Sequence, residues 1–311
     1  MCSLNNCTVV GNTASSEGGG VYDGELNNCI VYSNAAPTGS NHNDSVFIRI
    51  NNSCTIPALA ACSNITSDPK LTDQFELTAN SPCIDAGVNQ EGMAETRDLA
   101  GVSRIINGKV DMGAYEFHYN ATLQAFLQGP YCTTLHTMKV ILPSNMPFSA
   151  PYAGDPRAVL QIPSNVTDWV LLEMRSDPSN SAIFSESAFL RNDGRIINAA
   201  GETNIIIEVS PGTTNYLVIS HRNHLSAMSA QPIVFTNQAV QYSFTTGSGQ
   251  YYGGTNAAAQ LEPGVWGMMA GDADGDGKIT AADRSICESQ RAQAGYLAGD
   301  FTLDGVVTDE D

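Results

Sequence analysis

An all-β protein is what the sequence predicts: a truncated parallel β-helix, then an antiparallel β-sandwich, then a small helical module at the C-terminus. Three observations carry that prediction. A 22-residue repeat opens the chain, short β-branched runs between turn residues fill its middle, and ordered acidic residues crowd its last 41 positions. The composition agrees. Only 15% of the 311 residues are charged and 28 are glycine, a balance that suits a β-rich extracellular protein better than a cytosolic helical enzyme. The formal charge of −18 argues against nucleic acid or an anionic membrane surface as partner, because both need a positive face. No apolar run approaches the roughly 18 residues of a membrane span.

The repeat is read directly. Leu4-Asn5-Asn6-Cys7-Thr8-Val9-Val10 returns 22 residues later as Leu26-Asn27-Asn28-Cys29-Ile30-Val31-Tyr32, and more loosely after 24 as Ile50-Asn51-Asn52-Ser53-Cys54-Thr55-Ile56. Such a period, on short β-branched runs between Asn- and Gly-rich corners, suits a parallel solenoid whose equivalent residues stack about 4.8 Å apart. Leu4 and Leu26 then share a core column. The Cys7 and Cys29 column reads as buried thiols acting as small hydrophobes rather than as a disulfide. Cys54 and Cys62 make the better covalent pair, and Cys2, Cys83, Cys132 and Cys287 have no evident partner. The opening residues hold no secretory signal and nothing that caps a coil. The expectation is a piece of a longer extracellular protein, with an open first coil prone to self-association.

After the repeats come Asn80-Ser81-Pro82-Cys83-Ile84-Asp85-Ala86-Gly87, Arg97-Asp98-Leu99-Ala100-Gly101, and Val110-Asp111-Met112-Gly113-Ala114-Tyr115-Glu116-Phe117. Over about residues 64–117 this resembles the choice-of-anchor Q region that closes right-handed parallel β-helices of secreted bacterial surface proteins. The resemblance implies a pectate-lyase-like fold. A lyase would use Arg104 or Lys109 as its base. The reading from turn chemistry instead has Asp85 and Asp111 bonding turn amides, with Arg97 and Arg104 pairing to such acids.

The middle is built of short strands, among them 138–142, 169–174, 205–209 and 216–220, divided by turns such as Asn192-Asp193-Gly194. Regular short strands of this kind predict a sandwich. Asp168 and Glu173 are five apart on one strand, so they face opposite sides and make no catalytic dyad. His221 and His224 are three apart, and with no third ligand in view they read as a strand-end corner rather than a metal site. Leu127-Gln128-Gly129-Pro130-Tyr131, the run 168–175 and His221-Arg222-Asn223-His224-Leu225 together resemble an uncharacterised β-domain of large secreted bacterial proteins.

In the last 41 residues ten acids face three bases. Asp272, Asp274, Asp276 and Asp283 fall at positions 1, 3, 5 and 12 of a loop with Gly277 at 6 and the Lys278 carbonyl at 7. That is the oxygen register of an EF-hand calcium loop, ending in Asp instead of Glu. Asp300, Thr302, Asp304, Gly305, the Val306 carbonyl and Asp311 repeat it. The pair of loops over 268–311 resembles a type I dockerin, which implies two calcium ions and recruitment to a scaffold. It departs from that family at loop positions 10 and 11, where Ala281-Ala282 and Asp309-Glu310 replace the usual Ser and Thr, and in a 28-residue spacing between loops.

The expected domains are 1–118 (β-helix and its closing region), 121–247 (sandwich), 248–267 (linker or strand) and 268–311 (calcium module). The expected role is that of an extracellular structural, adhesive or carbohydrate-associated module. A polysaccharide or another surface protein is the candidate partner, with no nucleic acid and no membrane insertion. The rivals are a polysaccharide lyase or glycoside hydrolase on the β-helix, and a scaffold component recruited through the tail. No nucleophile–base pair is readable, so no turnover of common polysaccharides is expected.

Overall fold

The computed structural model describes residues 2–43, 48–57, 63–140, 146–235 and 239–311. Strand accounts for 35% of the chain and helix for 6%, so the all-β prediction holds. The chain divides into two compact units, one of Met1–Tyr119 with Glu208–Gly212, the other of Asn120–Ile207, Thr213–Phe235 and Ala239–Asp311.

In the first unit β1 (Ser3–Asn5), β3 (Gly24–Asn27) and β5 (Ile48–Asn51) form one parallel ladder, and β2 (Thr8–Val10), β4 (Ile30–Tyr32) and β6 (Cys54–Thr55) form a second. The register puts Leu4 opposite Leu26 and Leu26 opposite Ile50, as the repeat requires. Leu26, Cys29, Val31 and Ile50 form the buried core between the ladders. The chain turns between them at Asn6, Asn28 and Asn52, whose φ values of 50°, 52° and 47° lie in the left-handed region that asparagine tolerates. On the outside Asn5, Asn27 and Asn51 join in an amide ladder, with Nδ2 to Oδ1 distances of 3.2 and 3.1 Å. Cys29 aligns with Ser53, whose Oγ accepts its N–H, and burial pushes its thiol up to about 12. The Cys54 thiol donates to the Ser67 carbonyl at 3.3 Å, and the neighbouring Cys83 thiol, with burial, raises it. Cys83 is thus a neighbour of Cys54, which the sequence did not suggest, and Cys62 lies outside the described residues.

The closing segment is held by buried charge. Asp98 Oδ1 accepts the N–H groups of Ala100 and Val102, both at 2.8 Å, and Oδ2 accepts that of Glu116. Asp111 accepts the N–H groups of Asp85 at 2.6 Å and Phe117 at 2.7 Å. Arg104 donates to the Gly113 and Ala114 carbonyls and to Glu116 Oε1 at 3.0 Å. The arginine pairing expected with Asp85 or Asp111 is thus corrected. Glu116 is the partner of Arg104: its Oε1 meets the guanidinium while its Oε2 accepts the Asp111 N–H. Arg97 is bonded to the Gly101 carbonyl.

The second unit is centred on a sheet ordered β12 (Ile196–Ile197), β11 (Phe184–Arg191), β10 (Val166–Arg175), β14 (Thr214–His221), β15 (His224–Met228), with β16 (Ile233–Val234) also on β14. Its pairs are antiparallel. Central β10 is buried along almost its whole length, which is why it reads as an apolar run rather than an alternation. Trp169 packs on Phe189 at 3.9 Å between ring centroids, beside Met146, Ile197 and the partly buried Tyr152. A second sheet orders β13 (Ile205–Ile207), β7 (Tyr119–Gln124) and β17 (Ala239–Ser243). Two hairpins complete the strands: β8 (Tyr131–Cys132) with β9 (Thr137–Met138), and β18 (Ala259–Glu262) with β19 (Val265–Gly267). The strand expected over 138–142 is only this short β9, and 141–145 lie outside the described residues. Among the described residues the single α-helix is α1 (Ala281–Gln290), and no helix is long and apolar enough to cross a membrane.

Candidate metal centre

The two acidic loops are wired alike. In the first, Asp272 Oδ2 accepts the Gly277 N–H at 3.2 Å; in the second, Asp300 Oδ2 accepts the Gly305 N–H at 2.9 Å. Position 12 closes each loop in the same way. Asp283 accepts from the N–H of Asp274 and of Thr280, and Asp311 from the N–H of Thr302 and of Thr308. Position 5 accepts from position 7 in both, Asp276 from Lys278 at 2.8 Å and Asp304 from Val306 at 3.0 Å. The loops differ at position 3. Asp274 accepts the Asp276 N–H, whereas in the second loop Asp304 N–H turns to Asp300 Oδ1, since Thr302 presents a hydroxyl in place of a carboxylate.

Local sequence explains the first loop's exit. Thr280 caps α1 by accepting the Ala282 N–H, and Asp283 accepts the Thr280 N–H in return, a reciprocal capping box. Asp283 is therefore both the last residue of the loop and the third residue of the helix, where it closes the capping box. Ligand geometry at that position is fixed by helix formation.

Asp272, Asp274 and Asp276 bring one oxygen each to within 4.8 Å of one another, and this cluster can hold a metal ion. Burial, then the charges of Asp283, Asp274 and Asp276, raise the Asp272 carboxyl. Asp272 is only 3% exposed, yet its Oδ1 has no hydrogen-bond partner; in the second loop the buried Thr302 Oγ1 is left in the same condition. A buried carboxylate oxygen without a donor is costly unless a cation faces it. The donors are all oxygen, a set that suits a hard divalent cation and not a thiophilic one. Sequence placed Lys278 and Val306 at position 7, where their N–H groups order position 5 and leave their carbonyls as the candidate donors.

Sequence reasoning missed what holds these loops to the rest of the unit. Asp168, on β10, accepts a hydrogen bond from Tyr296 at 2.6 Å and from Arg222 Nε at 3.0 Å, and lies 3.1 Å from His221 Nε2. Arg222 also lies 4.1 Å above the Tyr296 ring and donates to the Leu297 carbonyl. Burial would raise the Asp168 carboxyl, but the Arg222 charge and the hydrogen bonds of His221 and Tyr296 hold it well below the usual range. Burial lowers both His221 and His224, and His224 Nε2 sits 2.9 Å from the Gln128 carbonyl. The signal available in sequence was an acid set directly against the apolar run 169–172, which needs a cationic partner once buried. The cavity beside Asp168 holds only about 20 Å³, room for a water and not for a sugar. Glu173, on the same strand, instead pairs with Arg175 at 2.6 Å.

Gly129 completes the contact. It has φ +85°, and a Cβ there would meet the Phe301 carbonyl oxygen at 2.3 Å, so the second loop rests directly on its backbone.

No family model, curated protein or solved structure matches this chain.

Proposed function

We propose that this chain is an extracellular calcium-binding surface module with a structural, adhesive or carbohydrate-associated role, its two tail loops each taking one Ca²⁺. The observation that carries the reading is the shared wiring of the loops around orphaned oxygens, Asp272 Oδ1 and Thr302 Oγ1. The ligands are Asp272, Asp274, Asp276, Asp283 and the Lys278 carbonyl in the first loop. In the second they are Asp300, Thr302, Asp304, Asp311 and the Val306 carbonyl. The first loop, with four carboxylates against three, binds more tightly. Bound calcium adds a fixed positive charge where the fold concentrates negative ones; it stabilises the tail and carries out no reaction.

On the same reading the parallel ladders are coil faces of a right-handed β-helix closed by the choice-of-anchor Q-like segment. The two sheets centred on β10 and β7 are then a sandwich, and 268–311 is a dockerin-like module. Polysaccharide or a second surface protein is the proposed partner. Two observations support binding over catalysis: the Arg104 guanidinium is committed to Glu116 and two carbonyls, and Asp168 with Arg222 and Tyr296 lines a cavity too small for substrate.

The test is calorimetric titration of CaCl₂, with MgCl₂ as a control, into protein stripped by a chelator. Two calcium ions per chain are expected, together with a thermal midpoint that rises on saturation, since calcium at about 100 times its Kd adds about 2.7 kcal/mol. No uptake, or a melting curve indifferent to chelator, sinks the proposal. A polysaccharide array, read in parallel for unsaturated-uronate release, tests the non-catalytic part.

A further inference from the structure

One residue outside the tail touches both loops at the same point. Asn223, at the tip of the β14–β15 hairpin, is fully buried. Its backbone carbonyl accepts the N–H groups of Gly271 and Asp272, each at 3.2 Å. Its side-chain nitrogen donates to the carbonyls of Ala298 at 3.1 Å and Asp300 at 2.6 Å. Asp272 and Asp300 are position 1 of the first and second loops. Its Oδ1 is occupied as well, 2.8 Å from His224 Nδ1.

The hairpin tip is itself immobilised. Arg222 next to it is tied to Asp168 and to the Leu297 carbonyl, and His224 lies against the Gln128 carbonyl. Asn223 therefore cannot follow a displacement of one loop without pulling on the other. Position 1 is where each loop begins to wrap a cation, so the backbone that Asn223 holds decides where that ligand stands.

We infer that Asn223 is a positioning residue that couples the two loops, so that filling one with calcium raises the affinity of the other. This rests on the calcium reading above. The physical basis is shared ordering: the first cation fixes position 1 of its loop, Asn223 passes that restraint to position 1 of the second, and the second cation has less left to order. Without the amide the loops remain competent but independent. An alanine keeps the backbone carbonyl on Gly271 and Asp272 and removes only the side-chain half of the link.

The experiment is CaCl₂ calorimetry on the chelator-stripped full chain as wild type, D272N, N223A and N223A/D272N. Wild type takes up two ions. D272N empties the first loop and weakens the second by at least about 5-fold, the lower end of ordinary coupling. In the N223A background the same D272N change alters the second loop less than about 2-fold, the coupling having been removed. If D272N leaves the second loop as tight as in wild type while both sites bind in the parent, coupling is overturned and the calcium reading stands. If wild type takes up no calcium, the calcium reading falls and coupling with it. Should N223A fail to fold, amide exchange in D272N decides. Calcium added to that chain slows exchange at Gly271 N–H if Asn223 transmits the restraint, and unchanged exchange there overturns it.

Discussion

In the N-terminal unit Arg104 faces two acids of one buried cluster, Glu116 and Asp111, whereas in the other unit the Asp168 carboxylate is met by Arg222, His221 and Tyr296. All these carboxyls are buried. They nevertheless move in opposite directions. Burial, and then the nearby Asp111 charge, push Glu116 up to about 8, and burial pushes Asp111 up to about 7. Around Asp168 the cation and the donors outweigh burial and hold the carboxyl down. Depth alone does not decide whether a buried acid is charged; the number of cations and donors converging on it does.

That contrast breaks most sharply at Asp168. Asp168→Asn leaves the buried Arg222 guanidinium without its counter-charge, and a loss of about 3–5 kcal/mol is expected in urea unfolding. Trp169 and Trp266 both belong to this unit, so tryptophan fluorescence follows it alone. A loss under about 1 kcal/mol would show that the cluster is not what holds the hairpin. Arg104→Met should cost less, about 2 kcal/mol at pH 6, because Glu116, pushed up to about 8, already holds its proton there and no bare carboxylate is left behind. Hydrogen exchange at the Phe117 amide measures it, and the cost should grow as pH rises.

The pH responses of the two units should slope in opposite directions between pH 5 and 8. In the first, the folded carboxyls titrate above their unfolded values near pH 4, so the native state holds extra protons. The stability they contribute is full below about pH 4 and is lost as pH rises toward 8, by up to about 1.4 kcal/mol per pH unit for each group. In the second, His221 and His224 are lowered, and below about pH 6.5 the unfolded chain takes up protons that the fold refuses. Asp168 is depressed, so its contribution is present above about pH 4 and is lost only as pH falls further. Acid therefore weakens one unit and base the other. Glu116→Gln should flatten the first slope and leave the second; parallel slopes would contradict both assignments. The smallest effect belongs to exposed polar pairs: Asn27→Ala removes two rungs of the amide ladder and should cost about 0.5–1 kcal/mol in thermal unfolding of the first unit.

What was legible in sequence was whatever repeats. Leu4, Leu26 and Ile50 could be aligned because each repeat reuses the same pattern, and the structure pairs them in that register. The metal ligands could be numbered because a loop of twelve positions is local, and the acids that share a face are only two apart. The clusters that fix the fold were not legible. Asp168, His221 and Tyr296 lie on three segments that only the β10–β14 pairing and the path after α1 bring together. Glu116 sits in a motif where Asp111 looks the more deliberate acid, and Cys83 comes beside Cys54 only in the folded unit. Asn223 stands between two histidines, and its bonds to Gly271, Asp272, Ala298 and Asp300 join segments far apart in sequence, so no local pattern marks it.

The bare backbone at Gly129 has a mechanical meaning. Phe301 lies against it with no side chain between them, and two residues earlier Leu127 bridges to Met268 in parallel register. The Gln128 and Met268 N–H groups bond the Met268 and Phe126 carbonyls beside it, so the tail meets the segment 126–129 through backbone at two points, 268 and 301, with no flexible side chain between them.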